Sequence, residues 1–333
     1  MKILHLFSSK VFAGLERHVE ELSYEQSKSH QVVVIGPERF KDKFRANYTT
    51  INTNQWRYSP LLWLELRDAM ARINPDVVHT HGQKMTNIIK TDSHFSTIHG
   101  TKKNVAAFKK SQFIFGASKK SLEKIPQQKS MVLENWVDES RFCNFKKKSP
   151  EYFLYLGRFE PVKNPERLIR AWNSKYGKLL MVGSGQLENN LITLIGELGL
   201  SDCIKIQSET EDIGSVLSKA QALIISSDRE GSPKVLYESL YCKVPVLSTN
   251  CGNIGDVLPK ECVADANDES FKLLIKKWMG KVDELSSIQN DCFDNIVSNN
   301  LLSIQTQKVI EKYQEFLSMA VSYTHLRAHE TKR

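Results

Sequence analysis

The sequence predicts an α/β protein made of two parallel-sheet halves. Three observations carry this. Short apolar runs alternate with helix-like stretches. The alternation breaks once, over 144–150, and then restarts. At 333 residues the chain exceeds what one compact domain usually holds. With 41% hydrophobic and 25% charged residues it has the make-up of a packed chain rather than a disordered one.

In the first half Lys2–Phe7 is expected as a buried strand, 15–26 as a helix and 31–35 as a strand. A helix over 61–73 should stop at Asn74-Pro75, because proline disfavours helical backbone in the residue before it. Strands at 77–79, 95–98, 113–115 and 131–133 complete the series. Apolar strands separated by helices make a parallel sheet covered on both faces. The polar stretch 144–150, which contains Lys146-Lys147-Lys148-Ser149-Pro150, is expected to be the domain linker. Beyond it strands at 152–156, 179–182, 204–206, 222–225 and 244–247 alternate with helices at 165–172, 186–198 and 233–241. A helix over 308–317 closes the chain, with Leu302, Thr306, Val309, Tyr313 and Phe316 on one face. The expected division is 1–145, 146–300, a helix 301–320 packing back across the lobes, and a non-native, disordered tail 321–333.

Composition excludes several functions. No apolar run of about 18 residues and no signal-peptide pattern is present, so a cytoplasmic location is expected. Cys143, Cys203, Cys242, Cys251, Cys262 and Cys292 have no zinc spacing and are expected to be reduced, small hydrophobes. The net charge is +8. Much of it lies in 102–129, where eight lysines (102, 103, 109, 110, 119, 120, 124 and 129) face one acid, Glu123. Such a patch can rest on an anionic membrane, giving a peripheral seat on the inner face of the plasma membrane. It lacks interleaved stacking aromatics, so no nucleic-acid partner is expected. No G-x-G-x-x-G follows the first strand, which argues against a dinucleotide enzyme.

The chemistry concentrates at strand ends. The stretch Ser227-Asp228-Arg229-Glu230-Gly231-Ser232-Pro233-Lys234 follows a strand and opens a helix that carries Glu238. Seven residues separate the two carboxylates. Helix starts offer free N–H groups to phosphate, and Pro233 suits a first turn. Gly157-Arg158 and Lys163-Asn164 follow the strand 152–156, and such a cationic pair can hold a diphosphate. Met181-Val182-Gly183-Ser184-Gly185 is a glycine turn after another strand. So is Cys251-Gly252-Asn253-Ile254-Gly255-Asp256. In the first half Ala13-Gly14 precedes a helix on which Glu16 and His18 fit plain surface positions. His79-Thr80-His81-Gly82 and His99-Gly100 sit at two further strand ends, with His79 expected in the core. No other ligands are spaced to join a His-x-His pair, so no metal is expected.

These motifs, in this order, resemble those of the retaining glycosyltransferases of family 4, group 1, which have the GT-B fold. Glu230 and Glu238 are similar to the family's E-x7-E, and Arg158 and Lys163 to the Arg and Lys of GRLxxxKG. The resemblance covers nearly the whole chain. It implies two Rossmann-like domains facing an interdomain cleft, with a C-terminal helix closing the chain. It implies a metal-independent hexosyltransferase that takes a nucleotide-sugar, most often a UDP-sugar, as co-substrate, with no cofactor. The acceptor implied is a glycan or glycolipid of the cell envelope, such as lipopolysaccharide or capsule. His99 and Glu230 take the catalytic positions. Arg158, Lys163, Glu238, Gly14, Gly183, Gly231, Ser232, Pro233 and Lys234 take donor-binding ones, and His81 lies on the acceptor side. Ala13, Trp136, Asn164, Asn253 and Asp256 depart from the family pattern. A UDP-sugar 2-epimerase-like enzyme and a catalytically silent nucleotide-sugar-binding protein are the alternative readings.

Overall fold

The computed structural model describes the backbone of residues 1–100 and 102–330, and side chains as far as 319. The chain forms two compact units, Met1–Glu134 with Leu302–Arg333, and Asn135–Leu301.

The first unit runs β1 (Lys2–Phe7), α1 (Gly14–Ser27), β2 (Gln31–Gly36), β3 (Asn47–Thr50), α2 (Pro60–Ile73), β4 (Val77–His81), α3 (Gln83–Ile88), β5 (His94–Ile98), β6 (Phe113–Gly116), α4 (Lys119–Leu122) and β7 (Ser130–Val132). The strands form one sheet in the order β3-β2-β1-β4-β5-β6-β7, every pair parallel. Strands covered on both faces must be apolar on both sides, and Ile3, Leu4, Leu6 and Phe7 are all fully buried. Helix α2 opens on Ser59, whose hydroxyl accepts from the Leu62 N–H. It ends at Asn74 in the left-handed region, φ 46°, directly before Pro75.

The second unit runs β8 (Tyr152–Leu156), α5 (Pro165–Ala171), β9 (Leu179–Val182), α6 (Glu188–Glu197), β10 (Ile204–Gln207), α7 (Ile213–Ser218), β11 (Ala220–Ile225), α8 (Lys234–Tyr241), β12 (Val246–Thr249), α9 (Ile254–Val257) and β13 (Val263–Ala264). Helices α10 (Asp268–Trp278), α11 (Val282–Ile288) and α12 (Asn290–Asn299) follow. The strand order β10-β9-β8-β11-β12-β13 is again doubly wound and all parallel. The chain then returns to the first unit as α13 (Leu302–Glu330), which lies against α1. Leu302, Thr306, Val309 and Tyr313 are buried, as their shared face predicts.

The unit boundaries differ from those read in the sequence. They fall after Glu134 and after Leu301 rather than at 145 and 300. The Val137 N–H donates to the Asn300 carbonyl (2.8 Å), and Val137 bridges Leu301. The lysine-rich stretch is no linker, because it pairs along the second unit: Lys148 N–H reaches the Ser218 carbonyl (2.9 Å) and Glu151 N–H that of Lys219 (2.8 Å). Strand β3 (Asn47-Tyr48-Thr49-Thr50) is polar and lies at a sheet edge, so no apolar run announces it. The expected tail 321–333 falls on side chains outside the described residues, as does the backbone of 331–333. Among the described residues no helix is long and apolar enough to cross a membrane.

Candidate active site

A doubly wound sheet leaves a crevice where the strand order reverses, beyond the strands' carboxyl ends. In the second unit that point lies between β8 and β11. The loop after β8 carries Arg158 and Lys163, and the loop after β11 carries Glu230 to Pro233. Lys163 Nζ donates to both carboxylate oxygens of Glu230, at 2.6 and 2.8 Å. The Ser227 hydroxyl adds a third bond to Glu230, 2.7 Å. Arg158 pairs with Glu160 and stays exposed. The fold thus joins Lys163 to Glu230 and sets Arg158 on the same rim. Tyr155, which feels the charges of Glu230, Arg158 and Glu160, donates its hydroxyl to the Arg158 carbonyl at 3.1 Å. Burial, followed by the charge of Glu230, raises the Tyr155 phenol above its ordinary range.

The predicted glycines take up close backbone approaches. A Cβ at Gly183 would lie 2.0 Å from the Gly157 carbonyl oxygen. At Gly252, with φ +64°, it would lie 2.4 Å from the Gly231 carbonyl oxygen. Side chains there would force the loops around the crevice apart. Gly14 differs: it opens α1 with no atom within 4 Å of a Cβ, so packing does not demand glycine. Ala13 is extended, φ −142°, and its N–H donates to Glu16 Oε2 (2.7 Å). Pro233 stands one residue earlier than expected, capping α8 rather than filling its first turn. Asn164 adopts φ 42° and accepts the Arg167 N–H through its side chain, which makes it a competent stand-in for glycine.

Glu238 is not brought to Lys163. It is buried in α8 and pairs with Arg141 at 2.9 Å. Arg141 and other supports escape sequence reading. The buried Arg167 guanidinium binds Asp228 (2.7 Å), Asp268 (2.8 Å) and the Ser226 carbonyl (3.0 Å), fixing the loop that bears Glu230. Asn135 Nδ2 donates to the Ser232 carbonyl. Trp136 is fully buried, and Lys234 lies over its ring at 5.3 Å. Asn253 donates to the Tyr237 hydroxyl at 2.6 Å, while Asp256 is exposed on α9. Burial pushes the thiols of Cys242 up to about 12 and of Cys251 and Cys262 up to about 11, as inert core thiols require.

In the first unit the reversal falls between β1 and β4, and histidines crowd it. His5 Nε2 meets Gln26 Oε1 (2.6 Å), and His5 Nδ1 meets His81 Nε2 (3.0 Å). His81 Nδ1 meets His99 Nε2 (3.2 Å). His79 bonds Thr97 (2.7 Å) and the Tyr313 hydroxyl, a core role as expected. His18 and Glu16 are buried rather than on the helix surface. Burial holds His5, His79, His81 and His99 neutral: His5 falls to about 4 despite its bond to Gln26. His79 and His81 lie well below their ordinary value, through burial first and neighbouring imidazoles second. His99 falls to about 3, through burial and then the charge of Lys102.

Comparison with known proteins agrees with this fold. Residues 137–289 match the family model of the glycosyl transferases group 1, and 12–114 that of glycosyltransferase family 4. The chain therefore belongs to the GT-B glycosyltransferases of group 1 and family 4. It is similar to an uncharacterized glycosyltransferase of Methanocaldococcus jannaschii, MJ1059: 31% identical over 128 residues, 37% of this chain and 31% of that protein. It is also similar to the Campylobacter jejuni N-acetylgalactosamine-N,N'-diacetylbacillosaminyl-diphospho-undecaprenol 4-alpha-N-acetylgalactosaminyltransferase: 29% identical over 158 residues, 43% of this chain and 42% of that one. The chain thus spans well under half the length of these curated relatives. Among solved structures, Anabaena Alr3699/HepE in complex with UDP superposes with a TM-score of 0.81 at 14% identity, covering 95% of this chain and all of that one.

Proposed function

We propose that the chain moves a hexose from a nucleotide-sugar, with retention at the anomeric carbon and without a metal, onto a lipid-linked or lipopolysaccharide-type glycan. The observation that carries this is the Lys163–Glu230 pair at the switch point of the second unit. A cation beside a carboxylate is what a sugar diphosphate needs, one for the leaving phosphate and one for sugar hydroxyls. Arg158 and Lys163 stabilise the diphosphate as the bond from C1 to phosphate oxygen breaks. An acceptor hydroxyl forms the new bond to C1 on the same face and gives its proton to the departing phosphate. Glu230 holds the sugar hydroxyls. Glu238, oriented by Arg141, takes the ribose. The start of α8, from Gly231 to Lys234, meets phosphate. By resemblance, His99 contacts the donor sugar and His81 serves the acceptor.

A UDP-sugar is the proposed donor, since HepE was solved with UDP, and the Campylobacter relative by its name uses a diphospho-undecaprenol acceptor. A thermal-shift screen against UDP-, GDP- and ADP-sugars tests the donor. A UDP-sugar at about 100 times its Kd should stabilise the protein by about 2.7 kcal/mol. Release of UDP should then require an envelope lipid extract. Sugar altered while still on its nucleotide, or binding without any turnover, would overturn the transfer reading.

All eight lysines of 102–129 are exposed, which supports a peripheral seat on anionic lipid. Most of the protein should float with phosphatidylglycerol vesicles at low salt and stay behind with neutral ones. Lys109→Glu with Lys110→Glu should cut the floated fraction at least twofold. A native protein that stays at the bottom of the gradient would show that the patch is merely solvated.

A further inference from the structure

Sequence spacing argues against a metal at His79-Thr80-His81, since no other ligand lies near in the chain. The fold supplies what spacing withholds. Among the described residues two groups of three imidazoles have ligand nitrogens within 4.8 Å of one another: His18, His81 and His99, and His5, His79 and His81. Ring geometry separates them. A metal lies in the plane of every imidazole it binds, so three nearly parallel stacked rings cannot share one. His5, His79 and His81 come close to such a stack: His81 stacks on His5 at 26° and on His79 at 23°, and His5 is tilted 34° from His79. His18, His81 and His99 cross at 87°, 62° and 36°, so their planes can meet at a point.

The distances agree. Imidazoles held tetrahedrally at the usual Zn–N length have nitrogens about 3.3 Å apart and centroids about 5 Å apart. His81 Nδ1 and His99 Nε2 are 3.2 Å apart. The three centroid separations are 4.6, 5.4 and 5.8 Å.

The supporting hydrogen bonds also point the right way. Gln26 Oε1 can only accept, so His5 carries its proton on Nε2 and offers Nδ1 as an acceptor. His81 must then carry its proton on Nε2, facing His5 Nδ1, which leaves a lone pair on His81 Nδ1 facing His99. Metal-ligating histidines are oriented in this way, by a partner on the other ring nitrogen.

We infer that His18, His81 and His99 form a binding site for one divalent transition metal, Zn²⁺ or a borderline ion of similar size, at the carboxyl ends of β4 and β5 beside α1. Three imidazole nitrogens suit Zn²⁺, Ni²⁺, Cu²⁺ and Co²⁺ and do not suit Mg²⁺ or Ca²⁺. A tetrahedral ion keeps its fourth position for water. The site does not depend on the transfer reading. It competes with it, because an ion here takes the lone pair of His81 Nδ1 and, once the His99 proton has left or moved to the other ring nitrogen, that of His99 Nε2. Transfer should therefore run in chelator and be inhibited by Zn²⁺.

The test is titration of the full chain, purified without a histidine tag and stripped with chelator, by Co²⁺ followed by Zn²⁺. The expected result is visible d–d bands of four- or five-coordinate Co²⁺ that saturate at one ion per chain and vanish on adding Zn²⁺. His99→Gln and His18→Gln should each weaken binding at least 100-fold. His5→Gln, which touches no metal, should weaken it about 10- to 100-fold. His30→Ala and the tail variant His325→Ala with His329→Ala should bind as the native chain does. Melting in chelator identifies any variant that fails to fold, and Zn²⁺ should raise the native melting temperature independently of any variant. Native protein with no saturable Co²⁺ spectrum, or folded His18→Gln and His99→Gln variants that bind normally, would overturn the site.

Discussion

Between pH 7 and pH 5 the metal-free first unit is expected to lose much of its stability. His5, His79, His81 and His94 are each at most 1% exposed, and burial holds His5 and His94 near 4 with His79 and His81 well below 6.5. Among the described residues their hydrogen-bond partners are other imidazoles, Gln26, Thr80, Thr97 and Tyr313, groups without the negative charge that would retain a proton on the ring. Lys102 adds repulsion at His99. With folded values below unfolded ones, the stability from neutral rings is complete above pH 6.5. It drains away as pH falls toward about 4, because only the unfolded chain takes up the protons. Each ring kept neutral costs about 1.4 kcal/mol per pH unit below 6.5. His5 and His94 alone reach about 4 kcal/mol at pH 5, a large part of the 5–15 kcal/mol that holds a typical domain together, and His79 and His81 act in the same direction. Hydrogen exchange read by mass spectrometry, corrected for intrinsic rates, should show β1, β4 and β5 losing protection at pH 5 while β8 and β11 keep theirs. His5→Gln should lower the pH slope by about one proton. Equal protection of both units at pH 5 would contradict this account.

The parallel-sheet plan was legible because fully covered strands must be apolar on both faces, as at Lys2–Phe7 and 222–225. The meeting of Lys163 with Glu230 was legible through resemblance: Gly157-Arg158, Lys163 and Glu230-Gly231 stand in the order of the family's motifs, whereas as isolated charges they fit a solvated surface. What stayed hidden depends on contacts distant in sequence. Arg167 looks like any helix arginine until Asp268, 101 residues on, lies 2.8 Å away. Arg141 meets Glu238 across 97 residues. Helix α1 misleads for a different reason. Its Glu16, His18, Glu20 and Glu21 give a polar pattern, but α13 lies against this helix and all four are buried. The imidazole triad needs positions 18, 81 and 99, which no periodicity links. The lysine run at 146–148 shows that composition alone cannot mark a linker, since backbone pairing with Ser218 and Lys219 decides the matter.

Removing either cation of the second unit should lower turnover by ~10²-fold or more, the scale of losing one preorganised charge stabiliser. The two variants should differ in everything else. The Arg158 side chain is 45% exposed and pairs with the nearby Glu160, an ion pair of a kind worth about 0–1 kcal/mol. Arg158→Ala should therefore keep the native melting temperature while losing rate. Lys163 holds a carboxylate whose side chain is only 9% exposed, so Lys163→Ala leaves Glu230 with Ser227 and without its countercharge. That variant should lose stability as well as rate. Lys163→Arg restores the charge and the melting temperature. It should recover only part of the rate, because a planar fork cannot reproduce a point charge set between two oxygens. Nucleotide release at saturating donor separates the two losses, since a folded protein with a lowered kcat identifies the diphosphate's partner and a merely unstable one does not. Native kcat in folded Arg158→Ala and Lys163→Ala would remove both residues from the reaction and leave the Lys163–Glu230 pair a structural clasp between two loops.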